Sequence, residues 1–242
     1  MKIRKIKITT YNILHCEDWK KKKIDYAAFA EAIKAFDSDV ISLNEVRGEG
    51  EREGYDAQAK ILSELTGYTA YFAKALDVDG KNPYGNAILT RLPMKSFETV
   101  PIPDPRPGYT RRGYETRCIL KAVTDTDPEI TFLITHFGLH DDEQQNAVCT
   151  VMKKITSPCT VLSGDFNVTP ENPVLAPIRE KLNDTAALIT GNTLTFPSDK
   201  PDRKIDYIFA GRGFEILSCE VCDKVLSDHR AVSAELKATG DR

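Results

Sequence analysis

The stretches YTAYFA (68–73), NAILT (86–90), FETV (97–100), TRCILKAV (116–123) and ITFLIT (130–135) decide the fold. Each is short, rich in β-branched and aromatic residues, and separated from the next by Gly, Pro, Asp or Asn, which is the pattern of successive strands joined by turns. A run of this kind builds sheets by meander and does not need a helix between every pair of strands.

On the N-terminal side the pattern is different. Ile6, Ile8, Thr10 and Asn12 fall on one face of a period-two segment, so Asn12 stands where a strand runs out into a loop. Tyr26, Phe29, Ala30, Ile33 and Phe36 have helical spacing, and Val40 to Val46 is a mainly apolar run, giving β, then α, then β. A second helix is predicted over Asp56 to Thr66, stopped by Gly67. On the C-terminal side, Asp142 to Ile155 is helical by its Val148, Val151, Met152 and Ile155. Strands are predicted at Thr160–Ser163, Thr193–Phe196, Ile205–Ala210, Phe214–Val221 and Ala231–Leu236. Helices interleaved with meandering strands predict a four-layer α/β sandwich, two mixed β-sheets face to face with helices outside. No repeat or linker divides the 242 residues, so one domain over residues 1–242 is expected.

Composition narrows the class. Hydrophobic residues are 41% and charged residues 29%, enough apolar content for a sizeable core. Thirty-three Lys and Arg against thirty-six Asp and Glu leave a net charge of −3, so no overall positive field draws the chain onto a polyanion. Local exceptions are Lys20 to Lys23 and the cluster Arg106, Arg111, Arg112; the lysine run reads first as a solvated face, with contact to an anionic membrane surface as the alternative. The N-terminus enters a strand pattern at once, without a signal-peptide core, and no stretch has the length of a membrane span, so the expected location is cytoplasmic. Six scattered cysteines include one Cys219-x-x-Cys222 spacing with no second pair, which does not support metal or redox use.

Six short polar insertions fall where apolar strands end: Asn12, Asn44-Glu45, Thr135-His136, Gly164 to Asn167, Lys204 to Tyr207, and Ser227-Asp228-His229. Rigid scaffolds place reactive groups at such ends. The set is carboxylates, side-chain amides and two imidazoles, which suits Mg²⁺ or Mn²⁺ better than zinc. Taken singly, each has an ordinary explanation: Glu45 as a carboxylate ending a strand, Asp165 and Asn167 as a turn, either histidine as a satisfied, partly buried ring.

Taken in order, TYNIL (10–14), LNEVR (43–47), GNAIL (85–89), THFGL (135–139), GDFN (164–167), KIDYIF (204–209) and SDH (227–229) resemble the motifs of the endonuclease/exonuclease/phosphatase superfamily over nearly the whole chain. The resemblance looks greatest to its compact bacterial, sphingomyelinase-like branch. It implies a phosphoester hydrolase in which Asn12, Glu45 and Asp228 belong to a Mg²⁺ (or Mn²⁺) site. It further implies that Asp165 activates water, that Asn167 orients Asp165 or a phosphate oxygen, and that His136 and His229 face the phosphate with Asp206 behind His229. Asn86, Arg117 and Arg112 are candidate substrate-binding groups, Arg117 having a buried ion pair with Glu115 as its alternative. Asp228 has a turn-stabilising role as its alternative. The acidic balance, and the lack of an Asp two residues after Asn12, favour a small-molecule or lipid-derived phosphodiester over DNA. A DNA endo- or exonuclease and a non-catalytic phosphate-binding module are the competing readings. No obligate protein partner is implied.

Overall fold

The computed structural model describes residues 1–106, 113–188 and 191–239. In chain order its main elements are β1 (Lys5–Asn12), β2 (Glu17–Asp18), β3 (Lys23–Ile24), α1 (Tyr26–Phe36), β4 (Val40–Arg47), α2 (Gln58–Thr66), β5 (Thr69–Val78), β6 (Asn82–Thr90), β7 (Met94–Pro101) and β8 (Cys118–Thr124). There follow β9 (Thr131–His136), α3 (Asp141–Lys154), β10 (Thr160–Asp165), α4 (Ala176–Lys181), β11 (Leu182–Asp184), β12 (Asp206–Gly211), β13 (Phe214–Val221) and β14 (Val232–Ala238).

Two six-stranded sheets result, in the orders β13-β14-β1-β4-β6-β5 and β11-β12-β10-β9-β8-β7. Both are mixed: β1 runs parallel to β4 and β9 parallel to β10, while their other neighbours are antiparallel. Alternation along each strand sorts its side chains between two layers. Ile6, Ile8 and Val40 of the first sheet meet Leu120, Phe132, Ile134, Val161 and Ile208 of the second in the central core. Their neighbours Tyr11, Ile41 and Leu43 turn outward onto Phe29, Ile33 and Leu62 of α1 and α2. On the far side Leu133, Leu162, Tyr207 and Phe209 pack against Val148 and Val151 of α3 and Ile178 of α4. Three apolar layers between four layers of backbone make the four-layer α/β sandwich predicted from the strand pattern.

Thr193–Phe196 is not a strand. It forms one isolated bridge, Phe196 with Arg203, and its backbone is otherwise bonded to loop residues: the Thr195 N–H donates to the Arg203 carbonyl, and the Thr195 carbonyl accepts the Arg230 N–H. The helix predicted from Asp56 begins at Gln58. All six cysteines are free, Cys219 and Cys222 included. No described helix is long and apolar enough to cross a membrane.

Candidate active site

The two parallel strand pairs end at the same edge of the sandwich. Register sets Asn12 beside Asn44 in the first sheet, and His136 beside Asp165, with Asp206 on the other side of Asp165, in the second. The Ser227 to His229 turn, just before β14, completes the ring. Thus the polar insertions that the sequence scatters over more than 200 residues face one another across the mouth of the central core.

Local backbone explains how two of these groups are aimed. Glu45 lies within β4 at a register shift against β6 and has φ +57°, a left-handed conformation that a strand residue adopts only where surrounding structure enforces it. The bulge turns Glu45 toward Asn12, whose Nδ2 donates to Glu45 Oε1 at 3.0 Å. At Gly164, φ is +142° and a Cβ would lie 1.8 Å from the Thr135 carbonyl, so the glycine permits β10 to close on β9 where Asp165 follows.

Asp165 is the hub. Its Oδ1 accepts the Asn167 N–H at 2.9 Å. Its Oδ2 faces Asn12 Nδ2 at 3.1 Å, His136 Nε2 at 3.4 Å and His229 Nε2 at 3.5 Å. His229 Nδ1 meets Asp206 Oδ2 at 2.9 Å, and the Phe196 ring packs on the imidazole with centroids 4.8 Å apart. Burial raises the Asp165 pKa, a shift that cationic His229 opposes and Asp206 reinforces. Burial pulls His229 the other way from its carboxylate neighbours, but Asp206, Asp165 and Asp228 together outweigh it and carry its pKa up, which favours the imidazolium form. Burial, then Arg117 and His229, push His136 well down. The pKa values of the histidines flanking one oxygen are therefore pushed in opposite directions, that of His229 up and that of His136 down.

Asn12 Oδ1 accepts the Leu14 N–H at 3.1 Å, so its Nδ2 and not its oxygen looks toward the carboxylates. Having two hydrogens, Nδ2 spends them on Glu45 and Asp165; the 3.4 Å approach to His229 Nε2 is a contact between donors. Asn167 touches Asp165 through its backbone, while its side chain donates to the Phe137 carbonyl at 2.9 Å. Asp228 is half-buried and accepts the Ser227 hydroxyl at 3.1 Å; its carboxylate helps burial to raise the Glu45 pKa. Asn86 is placed beneath the site and not in it: both ends of its amide are used, Oδ1 by Asn44 and Nδ2 on the Cys118 carbonyl. Arg117 makes the Glu115 pair weighed as its alternative, Nη2 to Oε2 at 2.9 Å, and also meets His136 Nδ1 through Nη1 at 3.2 Å, a contact not foreseen. Arg112 lies outside the described residues.

Three neighbours were given no role from the sequence, Asn44 having been noted there only as part of the Asn44-Glu45 insertion. Asn44 ties the sheets together, its Nδ2 donating to the Thr135 carbonyl at 2.9 Å and its Oδ1 accepting the Asp165 N–H at 2.9 Å. The signal was its place on the Val40, Ser42, Asn44 face of β4. His15 stands 4.0 Å from Glu45 Oε2, in a turn where Leu14, His15 and Cys16 all have positive φ; no sequence signal marks it. Tyr84 has its hydroxyl pKa raised far up by burial and then by Glu45 beside it.

The chain belongs to the endonuclease/exonuclease/phosphatase family, whose sequence model matches residues 9–229. Its fold is that of solved members. An endonuclease/exonuclease/phosphatase from Beutenbergia cavernae is 24% identical with a TM-score of 0.81, over 98% of this chain and 72% of that one. A mannosyl-6-phosphatase from Bacteroides thetaiotaomicron is 16% identical (TM-score 0.76; 96% of this chain, 99% of that), and the human Nocturnin catalytic domain 17% (0.73; 99% and 95%). No curated protein sequence gives a significant match.

Proposed function

We propose that the protein is a divalent-metal-dependent phosphoester hydrolase in which Asp165 activates the attacking water. The observation that carries this is the surroundings of Asp165: a buried carboxylate with raised basicity, within 3.5 Å of an amide donor and two imidazoles. A general base works best when its pKa lies near the working pH, and an ordinary exposed Asp is too weak.

The donor set fits a hard cation. Glu45 and Asp228 are carboxylates close enough for Asp228 to raise the Glu45 pKa, a repulsion that a divalent cation relieves. Asp165, Asp206 and His229 also bring ligand atoms within 4.8 Å of one another, but both nitrogens of His229 already face carboxylates, so this cluster is a closed proton-holding network. Mg²⁺ or Mn²⁺ is assigned to Glu45 and Asp228, with Asn12 ordering Glu45 through its N–H. Such an ion, when bound, neutralises charge on phosphoryl oxygens.

The chain's own groups do the rest. Asp165 takes a proton from water as its oxygen attacks phosphorus, opposite the bond to the leaving oxygen. The imidazolium of His229, with Asp206 supporting its charge, and the Nε2–H of His136 meet the charge that grows on the phosphoryl and leaving oxygens. Asn167 holds Asp165 in place through its backbone N–H. Water is the nucleophile, so no covalent enzyme intermediate forms.

The substrate we favour is a small-molecule or lipid-derived phosphodiester. The net charge of −3 speaks against a nucleic-acid groove, and the structural likeness to a protein named as a mannosyl-6-phosphatase supports a small phosphoester. The test is turnover of bis-p-nitrophenyl phosphate, p-nitrophenyl phosphate, sphingomyelin and abasic DNA with Mg²⁺, Mn²⁺ or EDTA. Metal-dependent cleavage of the diester that Asp165→Ala and His229→Ala both abolish is expected. Unchanged turnover in both variants overturns the mechanism, and preferred cleavage of abasic DNA overturns the substrate.

A further inference from the structure

Arg117 stands directly behind His136. Its Nη1 lies 3.2 Å from His136 Nδ1, its Nη2 is held by Glu115 Oε2 at 2.9 Å, and it and His136 are only 8% and 5% exposed. A guanidinium carries five N–H bonds, has no lone pair to offer, and does not deprotonate in proteins. Whatever faces it must accept. A hydrogen on Nδ1 would set N–H against N–H inside a buried contact, so Nδ1 keeps its lone pair and the single proton of the neutral ring resides on Nε2. Nε2 is the nitrogen turned toward Asp165 Oδ2, 3.4 Å away.

We propose that Arg117 is a positioning residue that locks His136 as its Nε2–H tautomer, making the ring a fixed neutral hydrogen-bond donor into the site, and that Arg117 does not itself grip the phosphoester. The assignment of the tautomer concerns the protein alone; its consequence for turnover rests on the hydrolase reading above.

His229 supplies the internal contrast. The group behind its Nδ1 is the Asp206 carboxylate, at 2.9 Å, so that nitrogen donates and the ring is supported as a cation. The rings converge on one oxygen with opposite chemistry at their backs, a carboxylate in one case and a guanidinium in the other. A carboxylate partner allows a histidine to gain and give up a proton. A guanidinium partner forbids the second proton, because Nδ1 cannot take it while Nη1 points there. Proton exchange is thereby confined to Asp165 and His229, and His136 presents the same donor whatever state they are in. Arg117 is turned to this task and not to solvent: Glu115 and His136 each take an N–H from one of its terminal nitrogens, its Nε is buried, and only 8% of the residue is exposed.

The test uses the full chain labelled with ¹⁵N-histidine. Long-range ¹H–¹⁵N correlation reads the protonation of each ring nitrogen, and the four histidines are assigned by single His→Gln substitutions. The expected spectrum has His136 unprotonated at Nδ1 and protonated at Nε2 from about pH 5.5 to pH 8, across the range where an ordinary histidine titrates. Arg117→Met, similar in volume and without a donor, is expected to give mixed tautomers or a second proton, while Arg117→Lys retains the wild-type pattern. On a substrate that turns over, Arg117→Met lowers kcat about 10–100-fold with KM little changed, and Arg117→Lys recovers part of the loss. A proton on Nδ1 of wild-type His136, or an Arg117→Met variant that raises KM and leaves the tautomer as it was, overturns the proposal. If no phosphoester is cleaved, the hydrolase reading fails and the nitrogen spectra still decide the tautomer.

Discussion

Asn44 Oδ1 accepts the backbone N–H of Asp165 at 2.9 Å, a hydrogen bond that joins a strand of one sheet to a strand of the other at the floor of the site. The same side chain donates to the Thr135 carbonyl, so one amide serves two buried backbone groups, on β9 and β10. Removing it orphans both, at about 1–3 kcal/mol each. Asn44→Ala is therefore expected to lose about 2–6 kcal/mol in urea unfolding. Its kcat should also fall, since the backbone of Asp165 is released. A loss below about 1 kcal/mol would show that water replaces the amide.

Gly164→Ala carries a backbone penalty and a collision at once. Its φ of +142° is closed to L-residues, and the new methyl would lie 1.8 Å from the Thr135 carbonyl. We expect a cost of at least about 3 kcal/mol, or failure to accumulate folded chain. Near-wild-type stability by thermal unfolding would mean that β9 and β10 can separate at this point freely.

Glu45 should oppose stability when no cation is present. Burial first, and Asp228 after it, raise its folded pKa above the ordinary value, with the Asn12 bond pulling the other way. The folded chain thus holds that proton more tightly than the unfolded chain. Ionisation costs stability as pH rises above the ordinary glutamate value of 4.5. Glu45→Gln is expected to raise the Tm of metal-free protein at pH 7 and to abolish the rise in Tm that Mg²⁺ or Mn²⁺ gives the wild type. A variant with lower metal-free Tm and an intact metal response would contradict this placement of the cation.

His229 has the reverse sign. Burial depresses its pKa, but Asp206, Asp165 and Asp228 raise it overall. The pairing contributes stability that is fully present below the ordinary histidine value of 6.5 and is lost as pH climbs through the raised folded value. Asp206→Asn removes the leading upward influence. The alkaline limb of the pH–rate profile should shift to lower pH, and kcat should fall on the order of 10²–10⁴-fold. An unmoved alkaline limb would assign that limb to another group.

What could be read from the sequence and what could not divides by physical cause. β1 and β4 were legible because alternation sorted Ile6 and Ile8 from their polar neighbours and Val40–Val46 was a bounded apolar run. Thr193–Phe196 looked like a strand by composition, but its backbone is bonded to Arg203 and Arg230, and Thr195 Oγ1 accepts the N–H groups of Ile205 and Asp206. Such a clasp depends on partners that no local pattern displays. Glu45 and Asp165 were picked out as candidates through the order of their motifs, and the fold brings both to one end of the sandwich. The opposite pKa shifts of the histidines were not legible, because Arg117 and Asp206 reach them only in three dimensions. The left-handed turn at Leu14–Cys16 was also hidden, since it contains no Gly or Asn to announce it.

The place of β14 between β13 and β1 has a consequence in time. Pairing of Lys5 with Lys237 and of Thr10 with Val232 joins segments at far ends of the described chain, whereas the strands of the second sheet lie within one unbroken stretch, Met94 to Gly211. A ribosome delivers that stretch, with His136, Asp165 and Asp206, before it delivers His229. Emerging chains therefore carry the Asp165 carboxylate before its His229 partner, and on the hydrolase reading proposed above they stay inert until the closing strand has left the exit tunnel.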